Sequence, residues 1–288
     1  MAGTFMTSLE MAGVSLSLLS IQGPGMLSAL DSPTTAPAWV DPMPLTIGAN
    51  GQVEAPQKVP YTPTDTVAAE AQKKDEHKVD ECVYACITSA CDRLVEVEPE
   101  LTRCDSICGD GDCGLVMKKG AIAVKALLEK QGEFSCPSSL CEAVADAVSG
   151  SMGGTSGALI ELCLRSMANF YRETEMTEGE SMIVTFAQAL EEGVDAIMFY
   201  GGAEPGMRTM LDALVPAVDA LCENASEGGV TALVAAAAAA KGGAEKTGYM
   251  VALAGRANYV NAELMRGVPD PGAVAVKEFF ETVALMIL

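Results

Sequence analysis

The sequence predicts an all-α domain, an eight-helix antiparallel up-and-down barrel, and three observations carry that reading. Amphipathic stretches with helical spacing follow one another from Thr64 to Leu288, with no credible strand among them. The connections between these stretches are short, which favours antiparallel neighbours. Hydrophobic residues make up 49% of the 288-residue chain and aromatics only 5%. With the alanine run Ala235–Ala240, that balance reads as helices packed closely through small side chains.

Taken in order, residues 1–22 are a short apolar segment, and Pro24, Pro33, Pro37, Pro42, Pro44, Pro56, Pro60 and Pro63 crowd residues 23–63. Proline at that density forbids a regular helix and favours an extended connection. The first helix is expected from Thr64 to Val97, ended by Pro99, and the second from Gly114 to Lys130. The others are expected at Ser138–Val148, Thr155–Glu173, Glu178–Phe199, Arg208–Glu223, Gly228–Ala254 and Gly272–Leu288. In an up-and-down bundle, alternate loops share an end. The loops after the first, third, fifth and seventh helices carry the unusual residues, so one rim is expected to gather them.

The first of these loops lies in RCDSICGDGDCGLVMKK, residues 103–119. Asp105, Asp110 and Asp112 fall within eight residues, and Gly109 and Gly111 allow a turn sharp enough for the carboxylates to converge. Convergent carboxylates repel unless a cation lies between them, and a hard cation such as Mg²⁺ is the expected occupant. A polar turn joining two helices is the plainer alternative. An EF-hand fails, because a loop begun at Asp105 or at Asp110 places glycine or an aliphatic residue where oxygen ligands belong.

The third loop, SGSMGGTSG (residues 149–157), opens a helix. Its backbone N–H groups and the hydroxyls of Ser151, Thr155 and Ser156 suit either a helix cap or an anion. No Gly-Lys-Ser/Thr follows, so it is not a Walker A loop. Arg208, opening its helix, and Arg256, closing another, are candidates to neutralise phosphate, although Arg256 equally suits a helix C-terminus. Asp270 precedes Pro271 at the last helix and reads as its cap. The single histidine, His77, lies in a charged, solvated segment.

A formal net charge of −21 argues against nucleic acid or an anionic membrane as partner, yet allows a nucleotide bridged by divalent cations. None of the ten cysteines forms CxxC. The pairs Cys82/Cys86 and Cys104/Cys108 read as core or near-core thiols of a reducing compartment. Glu10 interrupts the N-terminal apolar segment and no basic region precedes it, so a secretory signal is not expected. No run reaches the ~18 apolar residues of a spanning helix. A soluble, cytoplasmic protein is expected.

CDSICGDGDCG, SMGGTSGAL, RTMLDAL, GRANYV and DPGA, in this order and at these separations, resemble the ATP-binding, L-type domain of dihydroxyacetone (glycerone) kinases. The resemblance covers residues 64–288. It implies an eight-helix barrel with the nucleotide at one rim, and Asp105, Asp110 and Asp112 holding two Mg²⁺ ions that bridge to ATP. It further implies nucleotide contacts from Gly111, Cys113, Gly114, Ser151, Met152, Gly154, Thr155, Ser156, Arg208, Arg256, Asp270, Pro271 and Gly272. FMTSLEMAGVSLSLL and LDSPTTAPAW look like the tail of the family's substrate-binding domain, giving a remnant at 1–40, a linker at 41–63 and the barrel at 64–288.

The family's covalent histidine has no counterpart, and Met207 stands where its GDRTMLDAL pattern has aspartate. Dihydroxyacetone is therefore expected to be held by a substrate-binding domain in another chain, with a homodimer left open. The resemblance also carries two alternatives: splitting of FAD into AMP and cyclic FMN at the same metal site, and a non-catalytic regulatory role.

Overall fold

The computed structural model describes residues 79–174 and 181–288, together with Gly25. Lys74–Leu288 forms one compact unit and Met1–Lys73 another, and all the helices below belong to the first. The expectations for the remnant, the linker, residues 64–78 and His77 lie outside the described residues.

Among the described residues there is no strand. The α-helices are α1 (Glu81–Glu96), α2 (Glu98–Cys108), α3 (Cys113–Gln131), α4 (Pro137–Ser149), α5 (Gly154–Glu173), α6 (Met182–Gly201), α7 (Leu211–Asn224), α8 (Gly229–Thr247), the single turn α9 (Ala262–Met265) and α10 (Pro271–Ile287). Pro99 does not end the first helix at an aspartate loop; it occupies the first turn of α2, where a missing N–H costs nothing. The chain bends at Val97, and α2 then carries Arg103 to Cys108, so Asp105 sits on a helix.

Each long helix packs on its successor, and α10 packs on both α8 and α1, which closes the ring. α1 and α2 together form one bent stave, so eight staves complete the barrel. The closing seam carries a partly buried ion pair, with Arg93 Nε 2.6 Å from Glu278 Oε2. α7 and α8 meet through small residues: Ala213, Ala217, Ala232, Ala236 and Ala240 are fully buried. A Cβ on Gly243 would lie 2.1 Å from the Asp212 carbonyl oxygen, so the two backbones approach as closely as they do only with glycine there. The alanine run is thus a packing face, as its composition predicts.

α8 ends at Thr247, shorter than expected, and residues 248–270 form an irregular excursion with one 3₁₀ turn at Arg256–Tyr259. No described helix is long and apolar enough to cross a membrane. All ten cysteines are free. Cys86, Cys104 and Cys108 are buried as the four-residue spacing predicts, whereas Cys82 is exposed.

Candidate functional site

The aspartate segment is built from the end of α2 and the start of α3. Asp105, on the last turn of α2, is buried, and its Oδ2 accepts hydrogen bonds from the Asp112 and Cys113 N–H groups at 2.8 and 2.9 Å. One carboxylate thereby serves the free amides that open α3, where Asp112 makes no side-chain cap of its own. Gly111 turns the chain with φ 82°, a left-handed value that any Cβ would strain. Gly114 is buried where α3 meets α2.

Asp105, Asp110 and Asp112 each present a carboxylate oxygen within 4.8 Å of the others. Asp110 and Asp112 are exposed. Partial burial, and then the Asp110 and Asp105 charges, raise the Asp112 carboxyl above its usual range against the pull of Arg256. Burial pushes the Cys113 thiol up to about 12, reinforced by Asp105, Asp270, Asp112 and Asp110. Cys113 therefore stays a neutral thiol at physiological pH, a packing group rather than a nucleophile.

Two of the loops expected on the same rim reach this segment. Arg256 Nη1 lies 2.9 Å from Asp110 Oδ2, so this arginine faces the aspartates and not a helix C-terminus. The Leu253 N–H donates to the Met207 carbonyl at 3.1 Å, joining the loop before α7 to the excursion after α8. Arg208 does not open α7, which begins at Leu211. It precedes the helix with φ 62°, and its buried guanidinium turns inward. Asp212 folds that loop by accepting from the Gly206 and Thr209 N–H groups at 2.5 and 2.8 Å.

The glycine-serine loop joins through packing. Met152 is buried, and a Cβ on Gly120 of α3 would lie 2.3 Å from its sulfur, so the side chain lies across α3 at that point. Gly120 is seven residues, ~10 Å, along α3 from Cys113. The first turn of α5 has no side-chain cap, and Gly154 and Thr155 are exposed while Ser156 is half-buried. The Ser151 hydroxyl donates to the Ala147 carbonyl at 2.6 Å, closing α4.

At the last helix, Asp270 Oδ2 accepts from the Ala273 N–H at 2.9 Å, the expected cap. Burial raises its carboxyl to about 6, with Asp212 and Asp105 adding to the rise and the Ala273 N–H and Arg208 opposing it. Pro271 is buried and Gly272 half-buried behind it. Sequence reasoning missed Thr247. Its fully buried hydroxyl accepts from the Asp270 N–H at 2.8 Å and donates to the Ala244 carbonyl at 2.6 Å. No local signal marks it, because the sequence continues helical past that point.

Residues 107–285 match the DAK2 domain family. The chain belongs to that family. As a DAK2-family chain it is 35% identical to the putative 3,4-dihydroxy-2-butanone kinase of Solanum lycopersicum, over 99% of this chain and 48% of that protein. It is 33% identical to the triokinase/FMN cyclase of Homo sapiens, over 96% of this chain and 46% of the other. It is 36% identical to dihydroxyacetone kinase 2 of Saccharomyces cerevisiae, over 95% and 46%. The chain spans about half the length of the curated relatives it matches.

Among solved structures, the native dihydroxyacetone kinase of C. freundii superposes with a TM-score of 0.60 at 25% identity, covering 91% of this chain and 42% of that one. The same enzyme in complex with AMP-PNP and Mg²⁺ gives 0.58 at 25% identity, covering 90% and 41%.

Proposed function

We propose that this DAK2 chain is the ATP-binding, phosphoryl-donating half of a dihydroxyacetone kinase, working with a substrate-binding domain that supplies the acceptor. The observation that carries this reading is the convergence of Asp105, Asp110 and Asp112 within 4.8 Å, with Arg256 against Asp110. Support comes from relatives named as kinases and from a neighbour solved with AMP-PNP and Mg²⁺.

The residues fit Mg²⁺. Three oxygen donors of hard character meet at one point, and the Asp112 carboxyl is raised by partial burial and then by the Asp110 and Asp105 charges, a repulsion that a cation relieves. Asp105 would be the fixed ligand, since two α3 amides already hold it, and Asp110 and Asp112 the exposed ones; two ions are the expected complement. When bound, Mg²⁺ supplies charge neutralisation at the phosphate oxygens.

The chain's own residues do the rest. The uncapped first turn of α5, with Gly154, Thr155 and Ser156, offers N–H and hydroxyl donors to an anion, and Ser151, whose hydroxyl closes α4, and Met152 lie just before it. Arg256, largely exposed, has a guanidinium free to move from Asp110 to a phosphate oxygen. Gly111, Cys113 and Gly114 lie along the opening of α3, and Asp270, Pro271 and Gly272 hold the start of α10, as nucleotide-side contacts. Phosphoryl transfer asks the protein mainly to hold the donor in line and neutralise charge, which suits a site of this composition.

The test is ADP release from Mg-ATP and dihydroxyacetone, with the chain alone and with a separately expressed family substrate-binding domain. Turnover only with the added domain is expected, and absence of turnover in both would reject the kinase reading. A second reading has its own observation, the relatives named triokinase/FMN cyclase. It is that the same aspartates split FAD into AMP and cyclic FMN, and it predicts cyclic FMN from FAD and divalent metal without any added domain.

A further inference from the structure

We infer that Arg208 is the positioning residue of the rim, a buried cation that sets the aspartate segment and the residue 248–270 excursion in register with each other. This rests on the reading of the rim as a metal-nucleotide site.

Arg208 has the largest side chain among the residues that are under 2% exposed. Its Nη2 donates to Cys108 Sγ at 3.1 Å and to the Val268 carbonyl at 2.9 Å, and its Nε donates to the Thr247 carbonyl at 3.0 Å. Each acceptor lies at an end of one of these segments. Cys108 ends α2 and immediately precedes Gly109–Asp112, one turn beyond Asp105. Thr247 ends α8, opens the excursion that carries Arg256, and holds the Asp270 amide. Val268 closes the same excursion two residues before Asp270.

Two features mark the residue as more than core filling. It is the one described residue other than glycine with positive φ, a conformation that any Cβ disfavours. Its Nη1 is buried without a hydrogen-bond partner, which is costly for a guanidinium. A charge held in a strained backbone, with a donor left unmet, is a poor way to stabilise a core; an apolar side chain would serve better. Its planar fork, however, reaches three acceptors on separate segments at fixed angles, which a lysine ammonium cannot reproduce. The positive charge also acts on the Asp270 carboxyl, opposing part of the rise that burial imposes there.

The experiment is Mn²⁺ titration with and without ADP on the full chain, followed by calorimetry, for the wild type, Arg208→Lys, Cys108→Ala and the double variant. Arg208→Lys is expected to weaken the Mn²⁺·ADP complex about tenfold or more, as loss of a partner behind a metal ligand does. Cys108→Ala is expected to weaken it less, and the double variant to add little beyond Arg208→Lys, because both changes remove one bond. Arg93→Lys, altering the ion pair at the barrel seam, serves as the control for general destabilisation. It is expected to lower the melting temperature and leave Mn²⁺·ADP affinity unchanged.

Affinity in Arg208→Lys within twofold of wild type would overturn the inference while leaving the site intact. If Arg208→Lys does not fold, unchanged affinity in Cys108→Ala overturns it instead. A wild-type chain that binds no Mn²⁺·ADP removes the site itself, and the inference with it.

Discussion

Glu278 and Asp112 are both carboxylates of the same helical body, one buried and one exposed, and their surroundings push them in opposite directions. Glu278, at the seam between α1 and α10, is 5% exposed and accepts from Arg93 at 2.6 Å, with Lys277 Nζ also 2.6 Å away. Burial pushes its carboxyl up, but hydrogen bonds from Lys277 and Arg93 outweigh that and hold it below its usual range. Asp112 is raised by burial, and then by Asp110 and Asp105, with only Arg256 opposing. An acid whose charge is matched within the chain is a fastener. An acid whose charge is left in excess awaits something from outside, and that difference separates the seam from the rim.

The comparison can be broken most sharply at Asp110. Asp110→Asn should weaken Mg²⁺-dependent ADP binding by about 100-fold or more, since a ligand and not merely its support is lost. The melting temperature of the metal-free chain should not fall, because the change removes a repelling charge. Calorimetric titration beside a thermal melt checks both, and a destabilised variant with normal affinity would make the rim a fastener like the seam.

Glu278→Gln is the converse change. It should cost about 1–2 kcal/mol in chemical denaturation, toward the lower end because Arg93 is half-exposed and its pairing is screened, and leave ADP affinity unaltered. An affinity change there would mean that seam and rim are coupled.

A third test separates the two by pH. The folded Asp270 carboxyl lies at about 6, above its ordinary 3.8, so between those values the folded chain binds more protons than the unfolded one. Its contribution to stability is therefore lost as pH rises through that window. The lowered Glu278 acts in the opposite sense: its contribution is present above its ordinary value of 4.5 and is lost as pH falls through the folded value. Asp270→Asn, which keeps a capping oxygen, should raise the melting temperature at pH 7 and do so much less at pH 4. A gain of equal size at both values would refute the assignment.

Much of the site was legible because its chemistry is local. Asp105, Asp110, Asp112 and their glycines lie in one short run, and a cluster of acids interrupted by turn residues has few uses. Asp270 before Pro271 announced a cap, and Asp270 is one. Arg208 and Arg256 show the limit. Both are arginines shortly after a glycine in irregular segments between helices, and the same reasoning offered both to phosphate. In the folded chain Arg256 faces Asp110, while Arg208 is buried against Thr247, Val268 and Cys108. Pro99 was misread for a related reason: proline forbids the interior of a helix but suits its first turn, and only the bend at Val97 reveals which applies.

By itself the sequence determined most of the long helices and the small-residue packing face, because helical period and short connections act between near neighbours in the chain. The tertiary structure decided which charges are matched. Arg93 meets Glu278 across 185 positions and Arg208 meets Cys108 across 100, and whether a charge is fastened or left in excess depends on partners brought close only when the barrel closes.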